Sequence, residues 1–224
     1  MTTAQATSGT RRVRPGRVAI MRTAIALMGE QGYEGTSTRD IASGAGVSVA
    51  ALYYHFPSKL DLLREFLYEA HDVVTARLER EIEAAGTDPR AQLDAAVGAL
   101  IASNLHDDWA QLAAQVAWRE HGRLHDPDRR AIAAKRDHMA ALLEMVLRAG
   151  MATGDFTTTE PREVARVLLT LCISVVEPFP EMGMPMDDVI ELYRRFAVAL
   201  ACTPSGHAGQ REAAVASSWG PVGR

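Results

Sequence analysis

Residues 37–56 read STRDIASGAGVSVAALYYHF, and this stretch predicts two short helices joined by a tight turn. Ser37 can cap the first helix, with Asp40 three residues later as a short-armed variant of the capping box. Gly46 stands where the chain must turn and where a backbone with positive φ is useful. Ser48 can cap the second helix. Two helices joined by a short turn that contains glycine are the sequence form of a helix-turn-helix.

The helical pattern continues on both sides of this motif, because apolar residues recur there at helical spacing. A helix is predicted over residues 17–31, with Gly32 as its stop, and another over residues 59–85, where no strong breaker intervenes. The second would be about 40 Å long at the standard rise of a helix. The predicted fold is therefore all-α, with about nine helices. Five later helices are predicted to open at Asp88-Pro89, at Asp107 or Asp108, at Asp126-Pro127 with an end at Gly150, at Glu160-Pro161, and near residue 186.

The composition is that of an ordinary globular protein in a reducing compartment. Of the 224 residues, 47% are hydrophobic and 23% are charged, which is typical of globular domains. The sequence has two cysteines, Cys172 and Cys202, which excludes a disulfide scaffold and a cysteine-rich zinc site. The apolar runs are too short to cross a bilayer, and no apolar region follows the basic N-terminal residues, so neither a membrane span nor a signal peptide is predicted. We therefore expect a cytoplasmic protein.

Charge is distributed unevenly along the chain. Residues 1–64 carry a formal charge of +4, while the whole chain carries −4, so the remaining residues sum to −8. A basic N-terminal part joined to an acidic remainder suggests that only the first part faces a polyanion such as DNA. Chance segregation of surface charge is the alternative explanation.

The sequence gives little support to a catalytic or a metal-binding function. The sequence contains no G-x-S-x-G elbow, no P-loop, no H-E-x-x-H and no G-x-G-x-x-G, so an enzyme is not predicted. His121 and His125 are four residues apart, a spacing that can share a metal on a helix. Gly122 and Pro127, however, indicate that a helix ends here. We expect neither a metal nor a cofactor.

The order of the predicted helices, with a helix-turn-helix near the N-terminus and a long helix after it, resembles that of the TetR family of bacterial transcriptional regulators. The resemblance covers about residues 17–63, a quarter of the chain. Ala50 departs from the family pattern, which often has glycine at this place, but alanine favours a helix. The resemblance is carried by Ile20, Ala24, Gly32, Tyr33, Thr36-Ser37-x-Arg39-x-Ile41-Ala42, Ala45-Gly46-Val47-Ser48, Leu52-Tyr53-x-His55-Phe56, Lys59 and Leu63.

The second helix of the motif has outward side chains that suit the major groove of DNA. Val49, Ala50 and Ala51 are compact enough for the backbone to approach the bases, and their methyl groups suit contacts with thymine methyls. Tyr54 points away from the inward face and can reach a base edge or a phosphate. Arg39 is the best candidate for bidentate recognition of guanine, because its rigid fork matches O6 and N7.

A second group of side chains is predicted to hold the phosphate backbone. Free N–H groups at helix starts, together with nearby hydroxyl and cationic groups, favour phosphate. Alternatives stay open for several members, since Tyr53 can pack partly in the core, and Ser37 and Ser48 can be caps alone. The arginines of the N-terminal arm can follow the backbone, enter the minor groove or merely aid solubility. This group consists of Thr36, Ser37, Thr38, Ser48, Tyr53, His55 and Lys59, with Arg11, Arg12, Arg14 and Arg17 from the arm.

The resemblance implies a helical C-terminal domain that binds a small molecule and pairs two subunits. In the family, the final pair of helices forms a four-helix interface with its symmetry mate, and residues 161–176 and 186–200 are the most apolar helices here. Helices within residues 89–148 would enclose the ligand, because Met and aromatic residues give adaptable apolar walls. Such residues at helical spacing are nevertheless usually core. The candidate lining residues are His71, His106, Trp109, Trp118, Met139, Leu142, Met145, Leu171 and Val175.

The predicted organisation has four parts: a disordered basic arm (1–16), a DNA-binding domain (17–63), a ligand-binding and dimerisation domain (64–202) and a flexible tail (203–224). The predicted function is that of a ligand-responsive repressor. It would bind a palindromic operator in double-stranded DNA as a homodimer and be released by a small hydrophobic molecule. Two alternatives stay open: a ligand-independent activator or architectural protein, and an enzyme with an appended DNA-binding module.

Overall fold

The computed structural model describes residues 15–177 and 179–203, so Arg11, Arg12 and Arg14 of the predicted arm and nearly all of the predicted tail lie outside the described residues. The predicted all-α fold is confirmed over these ranges, in which no strand is present. No helix within them is both long and apolar enough to cross a membrane. The helices are α1 (Pro15–Gly35), α2 (Thr38–Gly44), α3 (Val49–His55), α4 (Lys59–Ala84), α5 (Pro89–Leu105), α6 (Asp108–Glu120), α7 (Asp126–Thr153), α8 (Pro161–Ser174), the short α9 (Phe179–Met182) and α10 (Met186–Ala201), with a 3₁₀ turn at His121–Arg123.

Side-chain caps fix where the later helices begin. The carboxylate of Asp88 accepts a 3.0 Å hydrogen bond from the backbone N–H of Arg90, and Pro89 occupies the first turn of α5, where its missing N–H costs nothing. The carboxylate of Asp107 accepts a 2.7 Å hydrogen bond from the backbone N–H of Ala110. The Asp-Pro and Asp-Asp pairs in the sequence therefore mark true helix starts.

The chain divides by its packing into two compact units. The first comprises the chain up to Ala70 together with Asp107–Arg129, and the second comprises His71–His106 together with the chain from Arg130 onward. The helices α4 and α7 each contribute to both units. Because α6 packs with α1, the grouping by packing differs from the division at residues 63 and 64 that the sequence suggested, and that functional division stays a prediction.

The first unit is built around α1, which contacts α2, α3 and α6. Ile20, Ile41 and Phe56 are fully buried at its centre. Gly29 permits a close approach of α1 and α6, since a Cβ at this position would lie 2.0 Å from Cδ1 of Leu112. Gly32 has a φ of +75° and interrupts the helical backbone of α1, as predicted for the stop residue.

The second unit packs α5 against α8 and α10. Asn104 connects two of these helices, because its buried side-chain amide donates to the carbonyl oxygens of Leu100 at 2.9 Å and Cys172 at 3.2 Å. Cys172 is a core residue that is only 1% exposed, and this burial raises the pKa of its thiol to about 12. Helix packing and hydrogen bonds, without a disulfide, hold these helices together.

The prediction that α7 ends at Gly150 is wrong, because the helix continues to Thr153. Gly154 has a φ of +84° and follows its last residue, as a glycine that ends a helix does. Gly150 is needed for a different reason. A Cβ there would lie 2.0 Å from Cδ2 of the buried Phe156 ring, so this glycine makes room for an aromatic side chain.

Candidate nucleic-acid interface

The start of α2 is held by the predicted capping box. The Ser37 hydroxyl accepts a 3.1 Å hydrogen bond from the backbone N–H of Asp40, and the Asp40 carboxylate accepts one of 3.2 Å from the backbone N–H of Ser37. Gly46 has a φ of +67° in the turn that follows α2. The predicted helix-turn-helix geometry is therefore present, and both caps and turn arise from residues within the motif.

The outward face of α3 carries small residues at its start and a large aromatic residue further on. The Ser48 hydroxyl caps this helix by accepting a 3.1 Å hydrogen bond from the backbone N–H of Ala51, while Leu52 is fully buried on the opposite face. Ala50 is exposed, and Tyr54 is 72% exposed. A surface of this shape lets the helix backbone approach a groove floor closely.

Arg39 on α2 and the Thr38–Tyr53 pair lie beside this face. Arg39 is exposed, and among the described residues no carboxylate lies within ion-pair distance of it. The hydroxyl oxygens of Thr38 and Tyr53 are 3.3 Å apart, close enough for a hydrogen bond between α2 and α3. The Tyr53 ring is nearly half exposed. The structure thus brings two predicted phosphate-binding hydroxyl groups, one from α2 and one from α3, next to each other.

Three predicted phosphate ligands form hydrogen bonds or ion pairs within the protein. Thr36 is only 1% exposed, and its hydroxyl donates at 2.9 Å to the carbonyl oxygen of Gly32, so it is not on the DNA-facing surface. Arg17 forms ion pairs with Glu65 and with Glu69, the latter at 2.7 Å. The buried Thr36 hydroxyl is thus occupied within its own turn of the chain, whereas the phosphate contact of Arg17 stays a prediction.

Lys59 also has partners within the fold, and its phosphate contact stays a prediction. Its ammonium donates to the backbone carbonyl oxygens of Tyr33 at 2.7 Å and Thr36 at 2.8 Å, and it lies 4.1 Å from the centroid of the Tyr33 ring. Lys59 therefore ties the start of α4 to the chain between α1 and α2. His55 is half-buried at the end of α3, with its ring edge-on to Tyr54 at a centroid distance of 5.3 Å, and its phosphate contact stays a prediction.

Two family models match the chain. Residues 20–66 match the model of bacterial regulatory proteins of the tetR family, and residues 86–201 match the tetracyclin repressor-like C-terminal domain. The second match alone covers more than half of the chain. The chain belongs to the TetR family. The first match encloses all of α2 and α3, so the predicted helix-turn-helix lies within the region that the tetR-family model covers.

Relatives of this TetR-family chain are transcriptional repressors. KstR2 from Rhodococcus jostii is 40% identical over 81 residues, and the match spans 36% of this chain and only 39% of that protein. KstR from Mycolicibacterium smegmatis is 27% identical over 173 residues, which are 74% of this chain and 77% of that protein. AibR, solved in complex with isovaleryl coenzyme A and operator DNA, has a TM-score of 0.71 at 23% identity, covering 84% of this chain and 99% of that one. This structural likeness shows a shared fold.

The predicted effector-lining residues are divided between the two units. Trp109 and Trp118 belong to the first unit, and the other seven belong to the second. Met139 and Val175 are buried, Leu142 and Leu171 are half-buried, and His71 is half-buried on α4. Each of these stays a prediction.

Two members of the set are exposed. Met145 is 54% exposed, and His106 is exposed at the end of α5. A cavity of about 320 Å³ lies between α5 and α10, and it is lined by other residues, including Arg90, Asp94 and Arg194.

The pair His121 and His125 does not have the helical geometry of a metal site. The helix α6 ends at Glu120, His121 begins the 3₁₀ turn, and a ring nitrogen of His121 is 2.7 Å from the carbonyl oxygen of Trp118. Within the described ranges, no group of three or more His, Cys, Asp or Glu side chains is placed to hold a metal ion.

Sequence reasoning missed a cluster at the Tyr33 ring. Arg123, from the 3₁₀ turn after α6, lies 4.9 Å from the ring centroid and donates to Glu34 at 2.5 Å. No local pattern could have revealed this contact, because ninety residues separate Tyr33 from Arg123 in the sequence. Nearby, the Arg22 guanidinium lies 4.8 Å from the Trp109 ring centroid and adds a second contact between α1 and α6.

Proposed function

We propose that this TetR-family protein is a ligand-responsive repressor that inserts α3 into the major groove of its operator. The observation that carries the proposal is the outward face of α3, where Val49 and Ala50 leave the backbone accessible and Tyr54 projects beyond them. Arg39 adds an accessible guanidinium at the edge of this face. The region matched to the tetR-family model encloses the whole surface. Direct reading of base edges requires this combination of close approach and fixed donors.

The proposal includes a two-fold dimer formed by α8 and α10. Val167 on α8 and Phe196 on α10 are 47% and 45% exposed, although both helices also contribute large apolar residues to the core. Such apolar side chains are suited to burial against a second copy. A two-fold dimer requires a palindromic operator, with half-sites about 34–36 Å apart or at a nearby spacing.

The proposed effector is a small hydrophobic molecule, such as a hydrophobic acid or an acyl ester. AibR binds isovaleryl coenzyme A, and the same fold here supports an effector of this general kind. Effector binding would shift the dimer toward a form whose recognition helices no longer match the operator spacing. A ligand of equal affinity for both forms would change nothing.

The proposal can be tested without knowing the operator. Full-length protein is used to select duplexes from a random DNA library, and the selected duplex is then compared with a scrambled one in binding assays. We expect a palindromic consensus and markedly tighter binding of the selected duplex. Recovery of duplexes without any consensus would contradict sequence-specific recognition.

A screen for the effector follows from the same material. Thermal shifts are measured with a panel of metabolites that includes short acyl-CoA esters, and each stabilising compound is added to the protein–duplex complex. Release of the selected duplex by a compound supports the ligand-responsive repressor. If the stabilising compounds leave the complex intact, the result instead supports the ligand-independent activator or architectural protein.

Replacing Arg39 with alanine should weaken binding to the selected duplex roughly tenfold, since a good bidentate contact contributes about 1–3 kcal/mol. Binding to the scrambled duplex should change little. The control is Arg130→Ala, which removes an exposed arginine on α7. Unchanged affinity for the selected duplex would remove Arg39 from the base-reading residues.

Replacing Phe196 with aspartate should weaken dimerisation at least about tenfold, because the change places an unpaired charge in the proposed interface. Sedimentation velocity over a concentration series measures the effect. Val73→Asp is the matched control, since Val73 is an exposed apolar residue on α4. If the Phe196 variant dimerises as tightly as wild type, the interface lies on another surface.

A further inference from the structure

Two cations from distant parts of the chain meet at the ring of Tyr33. The Lys59 ammonium lies 4.1 Å and the Arg123 guanidinium 4.9 Å from its centroid. Arg123 also donates to Glu34 at 2.5 Å and forms an ion pair with Glu120. We name these five residues the Tyr33 clasp. Attraction between a cation and an aromatic face stabilises such contacts, more strongly where the groups are partly desolvated.

The Tyr33 clasp sits at the corner where α1 gives way to α2. Tyr33 directly follows the helix break at Gly32, and its carbonyl oxygen accepts hydrogen bonds from Lys59 at 2.7 Å and from the backbone N–H of Thr36 at 3.3 Å. Ser37, which follows Thr36, caps α2. Tyr33 is therefore hydrogen-bonded to the segment that leads into α2, and α2 packs directly against α3.

Arg123 is held firmly on its own side of the clasp. Its ion-pair partner Glu120 is only 8% exposed, and the pKa of Arg123 is raised, mainly by its hydrogen bond to that carboxylate. The preceding helix, α6, is fixed against α1 by the close approach of Leu112 to Gly29 and by the stacking of Arg22 on Trp109. The guanidinium thus approaches Tyr33 from a rigid support.

Sequence and packing assign the segment that carries Arg123 differently. Residues 86–201 match the model of the C-terminal domain, yet Asp107–Arg129 packs within the first unit together with the helix-turn-helix. A side chain that belongs to the C-terminal domain by sequence is therefore part of the packing around the DNA-reading helices.

We propose that Arg123 is a positioning residue for operator recognition. It fixes Tyr33 and Glu34, and thereby the orientation of α2 and α3, without contacting DNA itself. Its guanidinium is already engaged by a ring and two carboxylates, which disfavours a direct phosphate contact. This inference rests on the proposed DNA-binding function of α3.

The test measures full-length variants on the duplex selected by wild-type protein and on a scrambled duplex. Arg123→Ala should weaken binding to the selected duplex about fivefold, an effect of the size that a cation–π contact provides. Affinity for the scrambled duplex and the salt dependence of binding should not change, because no phosphate contact is lost. Arg130→Ala is the control that removes an exposed arginine outside the clasp.

Two further variants separate positioning from general destabilisation. Arg123→Lys keeps a cation near the ring and should restore most of the affinity. In a Tyr33→Leu background, Arg123→Ala should have a much smaller effect than in wild type, because contacting residues are coupled in a double-mutant cycle. Thermal midpoints, measured in parallel, show whether each variant is folded.

Three outcomes would overturn the inference. These are unchanged affinity of Arg123→Ala for the selected duplex, full additivity with Tyr33→Leu, and a shallower salt dependence, which would mean that Arg123 contacts phosphate. Failure of the proposed function gives a different result, since wild-type protein would then not distinguish the selected from the scrambled duplex.

Discussion

Replacing Ala50 with glutamate is expected to abolish sequence-selective DNA binding while leaving the protein folded. Ala50 is exposed in the first turn of α3, so the new carboxylate would face the phosphates that line the groove and would also prevent close approach. Affinity for the selected duplex should fall at least about 100-fold, or ~2.7 kcal/mol. The fold should persist, because an acidic residue near a helix N-terminus is favourable and exposed substitutions have small effects on stability.

Fluorescence anisotropy with the selected duplex measures the loss, and two variants control it. Ala50→Gln has nearly the same size without the charge, and should retain more affinity than Ala50→Glu. Ala134→Glu makes the same change at an exposed alanine of α7 and should bind as wild type. Wild-type affinity for Ala50→Glu would mean that α3 is not the recognition helix.

The helix-turn-helix could be predicted from the sequence because its determinants are local. Ser37 and Asp40 cap one another across three residues, Ser48 bonds to Ala51 across three, and Gly46 adopts the positive φ that its turn requires. Each of these interactions involves neighbours in the chain, so residue type and spacing are sufficient to predict it.

The features that were not predicted have the opposite origin, since each depends on contacts between residues that are not neighbours in the chain. The hydrogen bonds of Lys59 to carbonyl oxygens more than twenty positions away in the sequence were not predicted. Gly150 was predicted to end α7, but it accommodates the ring of Phe156 within a continuing helix. The type of a residue shows which contacts it can form, and the tertiary fold determines which of these contacts are present.

The effector-lining residues stay predictions, because contacts between distant residues also decide where a pocket forms. The candidates were chosen by residue type, and their exposure ranges from fully buried Val175 to largely exposed Met145. A pocket requires side chains from several helices to converge, and helical periodicity within one helix says nothing about convergence. The DNA-binding face, in contrast, is formed by two adjacent short helices.

Replacing Lys59 with methionine is expected to lower the free energy of unfolding by about 2–3 kcal/mol. Methionine keeps the apolar stem but removes two hydrogen bonds from a charged donor, each typically contributing about 1.5–3 kcal/mol, and partial exposure of Lys59 reduces the total. The carbonyl oxygens of Tyr33 and Thr36 lose these donors. The thermal midpoint should fall by roughly 5–10 °C for a chain of this size.

Lys135→Met is the matched control, since the Lys135 ammonium pairs with the largely exposed carboxylate of Asp72. Exposed ion pairs contribute less than about 1 kcal/mol, so this variant should be clearly the more stable of the two. Equal destabilisation by both changes would show that the Lys59 hydrogen bonds contribute no more to the free energy of unfolding than an exposed ion pair does.

DNA binding separates the structural role of Lys59 from the phosphate contact that the sequence suggested. A lost phosphate contact would reduce the slope of log affinity against log salt by about one unit and weaken all sequences alike. A displaced corner between α1 and α2 instead weakens the selected duplex more than the scrambled one and leaves the slope unchanged. Because the ammonium donates hydrogen bonds to two backbone carbonyl oxygens of the corner itself, we expect the second result at temperatures where Lys59→Met remains folded.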